Sequence, residues 1–213
     1  MDAIDFTHQE FCASDWENKL KEFIASLDCS DNIIWHRKRE HKKINEELAT
    51  LGYYVKYKYG KPENITFKLN KDQGKADGWI YDCGKKVETV QIAIAYYEQE
   101  EAEIDKRIMN GEDVVEGGWV GDRIEVLKSR IEERTEKKTN MNYEDIDTLL
   151  IGLRDWFVKR INNEYHEQKN SVVCNVESCV PNCTFKQIAL VDTNYVGKGE
   201  LLIIPNLALN SDG

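Results

Sequence analysis

The sequence predicts an α/β fold, a mixed central β-sheet flanked by helices, and three observations lead there. Short β-rich runs alternate with stretches of helical periodicity from one end of the chain to the other. One run, "DTLLIGL" (Asp147 to Leu153), is continuously apolar, as a strand buried on both faces must be. The chain has 213 residues, 41% of them hydrophobic, with five Trp, ten Tyr and six Phe. That supplies one substantial core and falls short of two.

Taken in order, residues 5–28 read as one or two helices, with Phe6, Phe11, Trp16, Leu20, Phe23, Ile24 and Leu27 as the apolar set. A helix is expected from Asn32 to Leu51, with Gly52 as its C-terminal cap. "YYVKYKY" (Tyr53 to Tyr59) switches to period two and predicts a strand, and "TFKL" a short pairing strand. "DGWIYDC" and "KKVETVQIAIA" form a hairpin around Gly84. Helical periodicity returns from Glu98 to Met109, and again through Ile124, Leu127 and Ile131 into "EERTEKK". After the 147–153 strand comes a helix, "RDWFVKRINNEYHEQ", capped by Asp155, and then two strands, "FKQIALVD" and "ELLIIPNL". No repeat or linker interrupts this order. Residues 1–213 therefore read as a single domain: an N-terminal helical extension (1–30), a core (32–153), and a C-terminal helix with strands (154–213).

The formal net charge is −10, so the surface as a whole repels nucleic acid, although 29 Lys and Arg leave room for a local basic face. The densest basic cluster, "WHRKREHKK" (Trp35 to Lys43), reads as a solvated helix face. No apolar run has the length of a membrane span, and "MDAIDFTHQEF" has no signal core, which predicts a cytoplasmic protein with reduced cysteines. Neither a phosphate-binding GxxxxGK[ST] loop nor a dinucleotide fingerprint is present.

The candidate chemistry lies in carboxylates. Asp77 opens the first strand of the hairpin and Glu88 sits early in the second. Adjacent strands hold side chains at fixed separation, so two such acids are suited to a hard divalent cation such as Mg²⁺. Within the second strand, Glu88 shares a face with Val90, Ile92 and Ile94, while Val87, Thr89, Gln91 and Ala93 point the other way. Glu88 then either heads the apolar row as a ligand or reaches water from the strand end. On the preceding helix, Glu47 falls on the inward stripe between Ile44 and Leu51, with Glu46 turned away.

A helix with an inward glutamate, a strand, then "ADGWIY" and "KVETVQIAIA" resembles the core of the PD-(D/E)XK, or restriction-endonuclease-like, nuclease superfamily. The resemblance covers roughly residues 32–153 and implies an αβββαβ core. By position, Asp77 matches the first acid, Glu88 the second and Glu47 the helical acid that some members use. The resemblance implies that these three bind Mg²⁺ or Mn²⁺ and that the protein hydrolyses phosphodiester bonds of DNA or RNA. It also implies a prokaryotic or phage-related antiviral defence component working with a protein partner or as a homo-oligomer.

Two positions depart from the signature. Ala76 replaces its proline, and Val90 stands where the lysine that assists hydrolysis belongs. Gln91, adjacent to that position, is carried as a catalytic candidate, and a regular strand with Glu88 facing the site requires a bulge to turn it inward. Lys56, Lys58 and Lys86 are the lysines that could stand in from elsewhere. The competing expectation is an inactive nuclease-fold adaptor whose helix "GDRIEVLKSRIEERTEKK" binds a partner. Separately, His166, Cys174, Cys179 and Cys183 offer four ligands for a structural Zn²⁺, against the plainer expectation of free thiols in a loop beside a core strand.

Overall fold

The computed structural model describes residues 3–26, 43–71, 76–95, 123–141, 143, 145–153, 162–179, 183–192 and 201–207. For residues 123–127 and 162–169, and for Asn45 and Cys179, it describes the backbone alone. The expected helices over 32–42 and 98–109 and the Asp155 cap lie outside the described residues, as does Leu27.

Seven strands form one sheet in sequential order: β1 (Phe11–Cys12), β2 (Ile65–Leu69), β3 (Gly78–Asp82), β4 (Lys85–Ile94), β5 (Thr148–Leu153), β6 (Gln187–Asp192) and β7 (Leu201–Pro205). Strands β1 to β4 are antiparallel neighbours, β4–β5–β6 run parallel, and β7 returns antiparallel. The N-terminal segment is more than a helical extension. It contributes α1 (Ala3–His8) and α2 (Trp16–Ala25), and between them β1 adds an edge to the sheet.

Two cores divide along the sheet. On one face, Ile65, Phe67, Leu69, Ile80, Val90, Ile92 and Leu150 pack with Phe6, Trp16, Phe23 and the helix that precedes β2. On the other, Ala93, Leu149, Ile151, Ile188 and Leu190 pack with α4 (Arg123–Thr139) through Ile131, and with α5 (Asn162–Cys179) through Val172 and Val176. Helices α4 and α5 are the crossovers of the β4–β5–β6 parallel run. Successive right-handed crossovers in one direction put both helices on one face.

The segment "YYVKYKY" is not a strand. It is the second half of α3 (Ala49–Tyr59), which continues without a break from a π-helical turn at Ile44–Leu48. Tyr and Val favour strands, but here burial against the sheet decides. Tyr53, Tyr54 and Val55 are buried, and the helical period brings Tyr53 to Tyr57 at 5.8 Å between ring centroids. Gly52 lies inside this helix, not at its end: a Cβ there would stand 2.7–2.8 Å from three ring carbons of buried Trp16. The helix stops instead at Gly60, whose φ of 77° an L-residue resists.

The β3–β4 hairpin turns through Cys83 and Gly84, both at positive φ, as a two-residue loop matched to strand twist requires. "DTLLIGL" is buried along its whole length as β5, and the last two expected strands are β6 and β7. The cysteine-bearing segment is helical through Cys179 rather than a loop.

Candidate functional site

Strand pairing decides which residues meet. The β3–β4 pairing ends at Gly78 and Val90, and the Asp77 N–H donates to that same Val90 carbonyl at 2.9 Å, so Asp77 sits just outside the regular ladder. Asp77 Oδ2 accepts the side-chain amide of Gln91 and the backbone N–H of Ile92, the latter at 2.8 Å. The irregularity of this strand pair falls at Val87, between the Ile80–Glu88 and Tyr81–Lys86 pairs.

Glu88 lies three residues before Gln91 and therefore on the opposite face. It is only 4% exposed, and its carboxylate is filled. The Tyr54 and Tyr59 hydroxyls donate to it at 2.7 Å each, the Lys58 ammonium at 3.0 and 3.1 Å, the Gln187 amide at 3.1 Å, and the Thr148 hydroxyl as well. Both tyrosine hydroxyls are held well above their ordinary pKa, by burial first and then by the Glu88 charge. Asp77 is not among the partners of Glu88. Glu88 joins α3 to β4, β5 and β6. Its face agrees with the alternation read from the sequence, which puts it in the row of Val90, Ile92 and Ile94.

Glu47 belongs with Asp77. It sits in the π-helical turn, and burial, the Asp77 charge and the Glu46 charge push its carboxyl up to about 7, against Lys43 and Lys138. Asp77 is also raised, again by burial first, with the Ile92 N–H, Lys138, Lys43 and Gln91 opposing. Two half-buried acids that both resist ionisation form a site short of positive charge. A second deficit lies beside them. Gln91 is 5% exposed, and its Oε1 is buried with no hydrogen-bond partner among the described residues. Such orphaned acceptors are rare in folded proteins.

The Glu47 and Asp77 carboxylates with the Gln91 amide oxygen make an all-oxygen donor set, the chemistry that a hard cation such as Mg²⁺ or Mn²⁺ selects. An ion bound there would satisfy the orphaned oxygen and lower both carboxyl pKa values, so the residues fit the group. Among the described residues there is no cluster of three or more His, Cys, Asp or Glu side chains arranged for a metal.

The lysines behave differently from their sequence roles. Lys58 is bound to Glu88, Lys56 to Glu17 at 2.7 Å, and Lys86 is exposed opposite Tyr81, toward the far end of the hairpin. Val90, the expected lysine position, is in the core; so is Ala93, two residues beyond Gln91. The cations whose charge reaches Asp77 are Lys43, before the π-helical turn, and Lys138, in the last turn of α4. Both occur in charged runs whose spacing carries no sign of the site.

Cys174 is exposed on α5, while Cys183 is buried with its Sγ 3.7 Å from the Phe185 carbonyl. The side chains of His166 and Cys179 lie outside the described residues. No helix among the described residues is long and apolar enough to cross a membrane. No protein-family model matches the chain, and no curated protein or solved structure matches it either.

Proposed function

We propose that the protein is a divalent-metal-dependent nuclease with a restriction-endonuclease-like core, in which Glu47, Asp77 and Gln91 hold Mg²⁺ or Mn²⁺. The observation that carries this reading is the Asp77–Gln91 pair: a half-buried carboxylate bound to a buried amide whose oxygen lacks a partner among the described residues, with Glu47 beside them. The element order supports it. A helix bearing an acid, an antiparallel β2–β3–β4 meander and a helical crossover to parallel β5 follow the order of that core.

In this reading the second acid of the signature is replaced by Gln91, not supplied by Glu88, and Ala93 falls at the lysine position. A hard cation held by this donor set polarises a phosphodiester and acidifies a water. The residues of the chain do the rest. The Ile92 N–H and the Gln91 amide fix the Asp77 carboxylate. Lys43 and Lys138 bring positive charge to the site, which would offset the negative charge that builds up on a phosphorane. The same substitutions favour a second reading, an adaptor that keeps the fold without turnover, because Ala93 cannot do what a lysine does there.

Incubation of the protein with labelled single- and double-stranded DNA and RNA in Mg²⁺ or Mn²⁺ separates the two. The nuclease reading expects cleavage that Asp77→Asn abolishes and Lys138→Ala lowers by roughly ten- to a hundred-fold, the scale of losing one charge-stabilising donor. Cleavage indifferent to Asp77→Asn, or none with any substrate and metal, overturns it.

A further inference from the structure

The second face of the sheet is covered unevenly. Helices α4 and α5 pack over the β4–β7 side, but Trp79 and Tyr81 on β3 remain only half-buried. They alternate on β3 and share a face; Trp79 pairs with Thr89, whose row on β4 continues to Gln91. Across from them on β2, Lys68 pairs with Trp79 and Thr66 with Tyr81. The Lys68 ammonium lies 5.9 Å from the Trp79 ring centroid and 5.1 Å from that of Tyr81. On the other side Lys86, exposed, pairs with Tyr81.

We propose that this face, Trp79 and Tyr81 with Lys68 and Lys86, stacks bases of a single-stranded nucleic acid and leads its backbone to Asp77 and Gln91. The inference rests on the nuclease reading for its direction along the row, and stands without it for binding. Aromatic faces and lysines in one row are what a strand with unstacked bases recognises, because every base offers a π-face and every linkage a phosphate. Two residues along a strand span about 6.6 Å, so Trp79 and Tyr81 repeat at a step suited to successive nucleotides drawn out of a helix. A duplex hides its base faces in its own stack and gains nothing from the rings. The carboxylate on the patch is Glu10, 48% exposed: it accepts the Thr66 hydroxyl at 2.7 Å and meets Lys68 only at 3.9 Å. That loose pairing leaves Lys68 able to turn to a phosphate.

Fluorescence anisotropy with a labelled oligothymidine, an oligouridine and a duplex, all in EDTA and low salt, tests this without any cleavage. Binding of one or both single strands in preference to the duplex is expected. Trp79→Ala and Tyr81→Ala should each weaken it roughly ten-fold, the effect of losing one stacked base. Trp79→Phe, which keeps a ring and controls for folding, should retain most of it. Lys68→Gln should weaken it and flatten its salt dependence. Preference for the duplex, no binding by the wild type, or unchanged binding by folded Trp79→Ala and Tyr81→Ala overturns the proposal. Strand binding with no cleavage in metal would overturn the nuclease reading alone; cleavage of duplex unaffected by Trp79→Ala would overturn this proposal alone.

Discussion

Glu47 is a carboxylic acid placed where its charge is costly, and its environment defines an experiment. Its pKa rises from 4.5 to about 7 on folding, for burial and the Asp77 charge outweigh Lys43 and Lys138. Between those values the folded protein holds a proton that the unfolded chain has released. Stability contributed by the neutral acid is therefore present below pH 4.5 and lost as pH rises to 7, by up to roughly 3 kcal/mol. Urea melts of Glu47→Gln should match wild type at pH 4.5 and exceed it at pH 8. Equal midpoints at both pH values would contradict the buried placement. The sequence alone pointed to Glu47, because an acid on an inward helical stripe breaks a pattern. It did not point to Lys138, which reaches the site only through the packing of α4 and so leaves no trace in local spacing.

At the scale of an element, α3 carries the largest difference between pattern and structure. Its alternation of aromatic and lysine residues satisfies period two and period 3.6 alike, and only burial breaks the tie. What the alternation hid was a division of labour: Tyr54, Lys58 and Tyr59 turn to Glu88, while Tyr53 packs edge-on against Trp16 at 5.2 Å. Gly52 is the hinge of that packing. In an open helix, Gly→Ala stabilises by about 1 kcal/mol. Here the new methyl would enter the ring of Trp16, 1% exposed and with nowhere to move, and overpacking costs about 1–3 kcal/mol. Gly52→Ala should thus destabilise on balance, lowering Tm by several degrees in thermal melts. A rise in Tm would mean that Trp16 does not lie against the helix. Strands, by contrast, were readable where burial was extreme or a turn was obligatory, as in β5 and the Cys83–Gly84 hairpin.

Across the whole molecule, the Glu88 network and the candidate chemistry form two separate clusters, the second drawing Glu47 from the turn that runs into α3 and Gln91 from β4. Glu88, with five donor residues on the α3 face, stabilises the junction of α3 with β4, β5 and β6. Asp77, Gln91 and Glu47 gather what that network excludes: crowded acids and an orphaned oxygen. The mixed sheet flanked by helices was legible, but the grouping of Asp77 with Gln91 was not, since parity within β4 says nothing of where the chain entering β3 holds Asp77. An acidic chain of net charge −10 suits this division, because anionic substrates would be repelled except at the Lys68–Lys86 row and the Lys43–Lys138 side of the site. Isothermal titration of Mn²⁺ into the protein at pH 8 tests the assignment most directly. Wild type should bind, Asp77→Asn should lose at least roughly ten-fold in affinity with its fold intact, and Glu88→Ala should bind as wild type while losing about 3 kcal/mol of stability. Loss of Mn²⁺ binding in Glu88→Ala with Asp77→Asn unaffected would contradict it.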